Sequence, residues 1–269
     1  MQWFNVGKPL PGVYHIQDRL GVCVTLITGN DATLLMDTGH GIGNLKSLVA
    51  SISSRPLTVI NSHAHYDHMF GNYQFDHAFM PKEDLALLEA GGAFSGFSRQ
   101  HREAVWNRAA TFGTGLIDYP SHEDYLNAGM GKLLPLSASL FDLGGITAEV
   151  INLPGHTPGS VCLLVKPQGL LLTGDNWNPT TWLFLDSCLP LNQYVSNMNG
   201  LLDRGFTHVL APHQPILFPR RRLEAFINGL NPETFANAKP KSVRPEMGVD
   251  SYVCYPEPGT EFIFDKNKM

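Results

Sequence analysis

The run His63-Ala64-His65-Tyr66-Asp67-His68 places three imidazoles and a carboxylate within six residues, directly after the apolar segment Leu57-Thr58-Val59-Ile60. In an extended segment alternate residues share a side, so His63 and His65 point together while Ala64 points away. Those two can share one ion. Where the strand gives way to a helical turn, Asp67 and His68 are aimed at a neighbouring position that strand alternation cannot reach. The run therefore predicts a strand end that carries two adjacent metal positions. Imidazole suits Zn, Fe and Ni, and carboxylate oxygen adds Mn, so the donors leave the ion open.

Four donors do not complete two metal sites, so further ligands are required, each at the end of an apolar strand. Three places qualify. Val150-Ile151-Asn152-Leu153 runs into Pro154-Gly155-His156-Thr157-Pro158-Gly159-Ser160, whose Gly and Pro residues form a tight turn presenting His156. Leu170-Leu171-Leu172 runs into Thr173-Gly174-Asp175, and Thr207-His208-Val209-Leu210 runs into Ala211-Pro212-His213.

With Asp37 in Met36-Asp37-Thr38-Gly39, these ordered motifs resemble those of the metallo-β-lactamase fold superfamily of metallohydrolases, over most of the chain. The resemblance implies an α/β (α+β) fold: a four-layer αββα sandwich of two mixed β-sheets with outer helices and a metal site at one edge. It implies that His63, His65 and His156 hold one metal, that Asp67, His68 and His213 hold the second, and that Asp175 bridges them. Asp37 would orient ligands, in keeping with the general need to fix imidazole tautomers. His65 stands where the similar diiron flavoproteins carry Glu, and Asp175 where true B1 β-lactamases carry Cys. The basic residues Arg220-Arg221-Arg222 do not reproduce the glutathione-binding pattern of glyoxalase II, whose metal motifs look similar.

The expected chemistry is hydrolysis of an ester, lactone or thioester in a small-molecule substrate. Two divalent ions, Zn first with Fe or Mn as alternatives, would hold a water between them about 3.5–4 Å apart, with Asp67 as the catalytic carboxylate orienting it. Two alternatives stay open: a mononuclear iron oxygenase of the same fold acting on a persulfide, and a binding domain that keeps the metal without turnover. Nucleic acid is disfavoured by the net charge of −5.

A chain of 269 residues with 43% hydrophobic content suffices for one domain spanning 1–269. The sequence shows neither a secretory leader nor an apolar stretch of the roughly 20 residues that span a bilayer, so a cytoplasmic protein without membrane contact is expected, a homodimer being compatible. Cys23, Cys162, Cys188 and Cys254 read as buried free thiols.

An insertion at about 82–132 is helical and aromatic. Phe94, Phe97, Trp106, Phe112, Tyr119 and Tyr125, with glycines at 91, 92, 96, 113 and 115, suit either a lid over the site or plain docking on the sandwich. A second candidate wall runs from Trp177 through Trp182 to Phe184, because a loop leaving Asp175 must lie near the site. Tyr66 and His40 are further pocket candidates. His15, His77, His101, His122 and His208 read as structural, Tyr194 as a core residue, and Thr157 and Ser160 as supports of the His156 turn. The likeness of Leu34-Leu35-Met36-Asp37-Thr38-Gly39 to Leu170-Leu171-Leu172-Thr173-Gly174-Asp175 hints at an internal duplication.

Overall fold

Strands that are apolar on both faces must be covered on both faces, and the short runs of this chain obey that rule. Leu34 and Met36 enter one core while Leu35 enters another on the opposite side. Leu163 and Val165 share the first of these cores, whereas Cys162 and Leu164 face a third. The computed structural model describes residues 2–91, 99–113, 117, 119–243 and 248–269.

The first sheet is ordered β1 (Phe4–Leu10), β2 (Val13–Asp18), β3 (Cys23–Thr28), β4 (Thr33–Met36), β5 (Leu57–Ile60), β6 (Ala78–Met80) and β7 (Leu133–Pro135). The second is ordered β14 (Leu217–Pro219), β13 (His208–Leu210), β11 (Leu170–Leu172), β10 (Val161–Lys166), β9 (Thr147–Asn152) and β8 (Leu140–Asp142). Their facing sides bury Val13, Ile27, Leu34 and Ile60 against Leu163, Val165, Leu170 and Leu172. Outside the first sheet, α1 (Leu45–Ile52) packs Leu45 and Val49 against Leu35 and Val59. Asn44 caps this helix by accepting the Ser47 N–H. Outside the second sheet lie α6 (Leu191–Asn199) and α7 (Arg220–Gly229), contributing Tyr194, Met198, Leu223 and Phe226. Helix, sheet, sheet and helix thus form the expected sandwich.

The two halves share part of their strand pairing. β3 pairs antiparallel with β4, which pairs parallel with β5. In the second sheet β10 pairs antiparallel with β11, which pairs parallel with β13. Asp37 follows β4 and Asp175 follows β11, so the sequence likeness marks equivalent strand ends.

A third sheet, β12 (Thr180–Leu183), β17 (Glu261–Asp265), β16 (Ser251–Cys254) and β15 (Lys239–Pro240), was not anticipated. It forms because the loop leaving Asp175 becomes β12 and pairs in parallel with β17, burying Phe262 and Phe264 in the core shared with α6 and α7. The short α8 (Pro232–Ala236) precedes β15.

Helix α2 (Tyr66–Met69) holds the end of the histidine run, and α3 (Lys82–Glu89), α4 (Arg99–Ala110) and α5 (His122–Asn127) follow it. Arg102 of α4 is buried, its guanidinium 4.4 Å from the Phe70 ring centre and 4.7 Å from that of Tyr125, and it donates to the Phe70 and Gly129 carbonyls. This cation, stacked on aromatic faces, ties α4 to the sandwich. All four cysteines are buried and free. Among the described residues no helix is long and apolar enough to cross a membrane.

Candidate metal centre

β5 ends at Ile60, and the next five residues bridge to α2, so the histidine run spans a strand-to-helix transition. His63 Nε2 lies 3.0 Å from His65 Nδ1, and His156 Nε2 reaches the same atom at 2.9 Å. Three imidazole nitrogens and Asp175 thus form one group, and Asp67, His68 and His213 form a second; within each, the ligand atoms lie within 4.8 Å of one another. Asp175 faces both. Its Oδ2 is 3.5 Å from His156 Nε2 and 3.9 Å from His63 Nε2. Its Oδ1 is 3.4 Å from His68 Nε2 and 3.1 Å from His213 Nε2.

The outward ring nitrogens fix the tautomers. His156 Nδ1 donates to the Trp182 carbonyl at 2.8 Å. His68 Nδ1 donates to Asp37 Oδ2 at 2.9 Å. Ser62 Oγ donates to Asp37 Oδ2 at 2.8 Å and so accepts from His63 Nδ1 at 2.9 Å. In each of these three rings Nδ1 is the donor and Nε2 is the nitrogen turned inward, the orientation a metal ligand needs. Asp37 also accepts the Ser62 N–H at 2.7 Å and holds a left-handed φ of 69°. Asp tolerates that region better than most residues, which suits it to the sharp exit from β4.

Electrostatics divides the groups. Burial lowers the pKa of His63 far below the ordinary value, lowers His156, and brings His65 to about 3. Burial thus favours the neutral form of these imidazoles, the form that can donate a lone pair. Burial also opposes charge on His68, but Asp175, Asp67 and Asp37 outweigh it and hold its pKa well above normal. His213 is raised in the same way by Asp175 against its burial. Asp67 and Asp175, despite burial, are held low by the histidines facing them. The cluster calls for positive charge. His68 Nε2 is buried with no hydrogen-bond partner among the described residues, as befits an atom meant for a cation. Nitrogen and oxygen donors without sulfur fit Zn, Fe or Mn.

Five of the seven clustered residues, His65, Asp67, His156, Asp175 and His213, line a cavity of about 270 Å³. His40, Tyr66, Asp67 and Trp182 line it, together with Leu20, Val22, Arg108, Asn178, Thr180 and Leu185. Trp177 and Phe184 do not. Thr180 and Trp182 alternate toward the cavity along β12 while Thr181 and Leu183 turn inward. Trp177 is fully buried against Phe218 and Phe226, and Phe184 packs in the same core. None of Trp106, Phe112, Tyr119 and Tyr125 lines the cavity. Trp106 and Tyr125 dock the insertion beside Trp3, Ile42 and Phe70, while Phe112 and Tyr119 are exposed. Phe94, Phe97 and the glycines at 92, 96 and 115 lie outside the described residues. His101 stacks on Tyr66 with rings 5.9 Å apart and 10° from parallel, so it backs a cavity residue.

Sequence reasoning missed Asp84. This fully buried carboxylate accepts the Ala64 N–H at 2.7 Å, the Thr157 hydroxyl at 2.8 Å and the Gly159 N–H at 2.7 Å. It thereby clamps the His63–His65 segment to the His156 turn. A Cβ on Gly159 would lie 2.6 Å from Asp84 Oδ1, so the close approach requires glycine. Burial raises the Asp84 pKa in spite of these bonds. Its place in the first turn of α3 looks like an ordinary helix-dipole acid, and that masks the role.

Two packed sheets with His and Asp side chains converging at strand ends form a fold and a candidate metal centre of one recognisable kind. The sequence profile described as "Metallo-beta-lactamase superfamily" matches residues 18–189, and the chain belongs to that superfamily. It is 24% identical over 247 residues to the acyl-coenzyme A thioesterase MBLAC2 of Homo sapiens, covering 83% of this chain and 85% of that one. It is 24% identical over 153 residues to the probable metallo-hydrolase YqgX of Bacillus subtilis, covering 55% and 63%. Among solved structures, a metallo-beta-lactamase family protein from Thermus thermophilus superposes with a TM-score of 0.57 at 20% identity, over 96% of this chain and 100% of that one. The stereoselective inverting sec-alkylsulfatase Pisa1 from Pseudomonas sp. gives 0.60 at 15% identity, over 84% and 41%.

Proposed function

We propose that this chain hydrolyses a thioester or related ester bond of a small acyl substrate, using two divalent cations. The observation that carries the proposal is the division of Asp175, with one oxygen toward the His63, His65 and His156 group and the other toward the Asp67, His68 and His213 group. A single-ion site would leave the second group without a task. His63, His65 and His156 would hold one ion, Asp67, His68 and His213 the other, and Asp175 both. When bound, such ions supply Lewis acidity toward a carbonyl oxygen and a water acidic enough to ionise near neutral pH.

The chain's own residues do the remaining work. Asp67 lines the cavity beside the ligand cluster, where it orients the attacking water and accepts its proton. Leu20, Val22, Trp182 and Leu185 offer an apolar wall for an acyl group, and Asn178, which donates to Asp175 at 3.2 Å, keeps that carboxylate aligned. The thioesterase name of a relative spanning most of both chains favours acyl thioesters within the ester class.

The test is metal content per chain by inductively coupled plasma mass spectrometry on untagged protein, followed by assay of acyl thioesters, esters and lactones. About two equivalents of Zn, Fe or Mn with turnover supports the reading, and Asp67→Asn should then lose about 100-fold or more in kcat while staying folded. One equivalent of iron without hydrolysis would overturn it.

A further inference from the structure

One histidine of the cavity belongs to neither ligand group. His40 lies in the loop after β4 and is 2% exposed, yet it lines the cavity with Tyr66 and Asp67. Its Nδ1 donates to Asp18 Oδ2 at 2.7 Å. Asp18, at the end of β2, is itself buried, and its other oxygen accepts the Val22 N–H at 3.0 Å. The His40 carbonyl accepts the Tyr125 hydroxyl at 2.7 Å, which holds the backbone of the loop independently of the ring. Among the described residues Nε2 makes no hydrogen bond, and with Nδ1 committed to Asp18 it is the nitrogen presented to the cavity. A carboxylate that orients an imidazole and stabilises its cation, with the far nitrogen facing substrate, is the arrangement of a proton-transfer pair.

We propose that His40, positioned by Asp18, is the proton donor to the leaving atom of the substrate. The inference rests on the hydrolase reading above. Water oxygen bonds to the acyl carbon and gives one proton to the Asp67 carboxylate. The carbon–oxygen or carbon–sulfur bond breaks, and its electron pair stays on the leaving atom. That atom takes the proton from His40 Nε2, leaving a neutral imidazole that the proton from Asp67 restores through solvent. One water is consumed and an acid plus an alcohol or thiol is released, with no redox change. Alkoxides are poor leaving groups without a proton, whereas aryloxides and thiolates depart more readily unaided.

The test uses metal-loaded enzyme and one acyl group carried on an alkyl alcohol, a nitrophenol and a thiol. His40→Gln should lose about 100- to 10,000-fold in kcat/KM on the alkyl ester and far less on the nitrophenyl ester and the thioester. Asp18→Asn should follow the same order with smaller losses. Metal content and melting temperature of each variant separate this pattern from misfolding, and Asp18→Asn alone can carry the test if His40→Gln is unstable. Equal losses on all three substrates in a folded, metal-replete variant, or no loss, would overturn the role of His40 while leaving the hydrolase reading intact. Wild-type enzyme that holds its metal and turns over none of the three would refute the hydrolase reading itself, and the proton donor with it.

Discussion

Replacing Asp84 by Asn tests whether the ligand loops are held together by this buried carboxylate. Asn keeps one acceptor oxygen and presents an NH2 in place of the other. If the oxygen faces Ala64 and Thr157, the NH2 meets the Gly159 N–H; if it faces Gly159, the Ala64 N–H is left without an acceptor. Either way a buried main-chain donor goes unpaired, costing about 1–3 kcal/mol, and the surviving bonds lose their charge assistance. Against this stands the relief of no longer burying a carboxylate whose pKa is raised by desolvation. The net loss is about 2–3 kcal/mol, or about 4–5 °C in melting temperature for a chain of this size. Because the clamp joins the segment bearing His63 and His65 to the turn bearing His156, metal affinity should fall about 10- to 100-fold. Thermal unfolding with chelator reads the first quantity and competition with a chromophoric chelator reads the second. Gly159→Ala attacks the same contact from the other side, so its effect should be markedly non-additive with Asp84→Asn. An Asp84→Asn variant that melts with wild type and binds metal equally would refute the clamp.

Two further outcomes follow from the same geometry. His15 is buried, bonded to Thr25 Oγ1 at 2.9 Å and to the Gln214 carbonyl at 3.1 Å, and burial lowers its pKa from 6.5 to about 4. A depressed folded value means that stability is present above pH 6.5 and is lost as pH falls through 4, here by about 3 kcal/mol. His15→Gln should flatten that part of the stability curve in denaturant titrations, and an unchanged acid limb would disprove the assignment. Asp37→Ala should free the His68 ring and weaken binding at the Asp67, His68 and His213 group by about 10- to 100-fold, so that metal per chain falls by one equivalent. Undiminished occupancy would show that the ring is held by other means.

What could be read in the sequence and what could not differ by the range of the interaction that makes each residue matter. The seven candidate ligand residues stand out because each falls in the segment that follows an apolar strand. The sandwich came with the superfamily resemblance, and continuous apolar runs such as Leu170–Leu172, which need cover on both faces, agree with it. The cavity wall was misread by its phase: Trp177, Trp182 and Phe184 are equally aromatic, but only the register of β12 on β17 decides that Trp182 faces the site. The third sheet was hidden because its strands are short and meet only after the chain has closed. Asp84 and Asp18 were hidden more thoroughly. Asp84 acts on residues 20 and 75 positions away, and Asp18 on a histidine 22 positions away, through bonds that leave no local pattern. An acid in a first helical turn and an acid at a strand end are the commonest places to find one without a task. Their burial separates them from ordinary surface acids, because a carboxylate removed from water persists only where several donors converge on it.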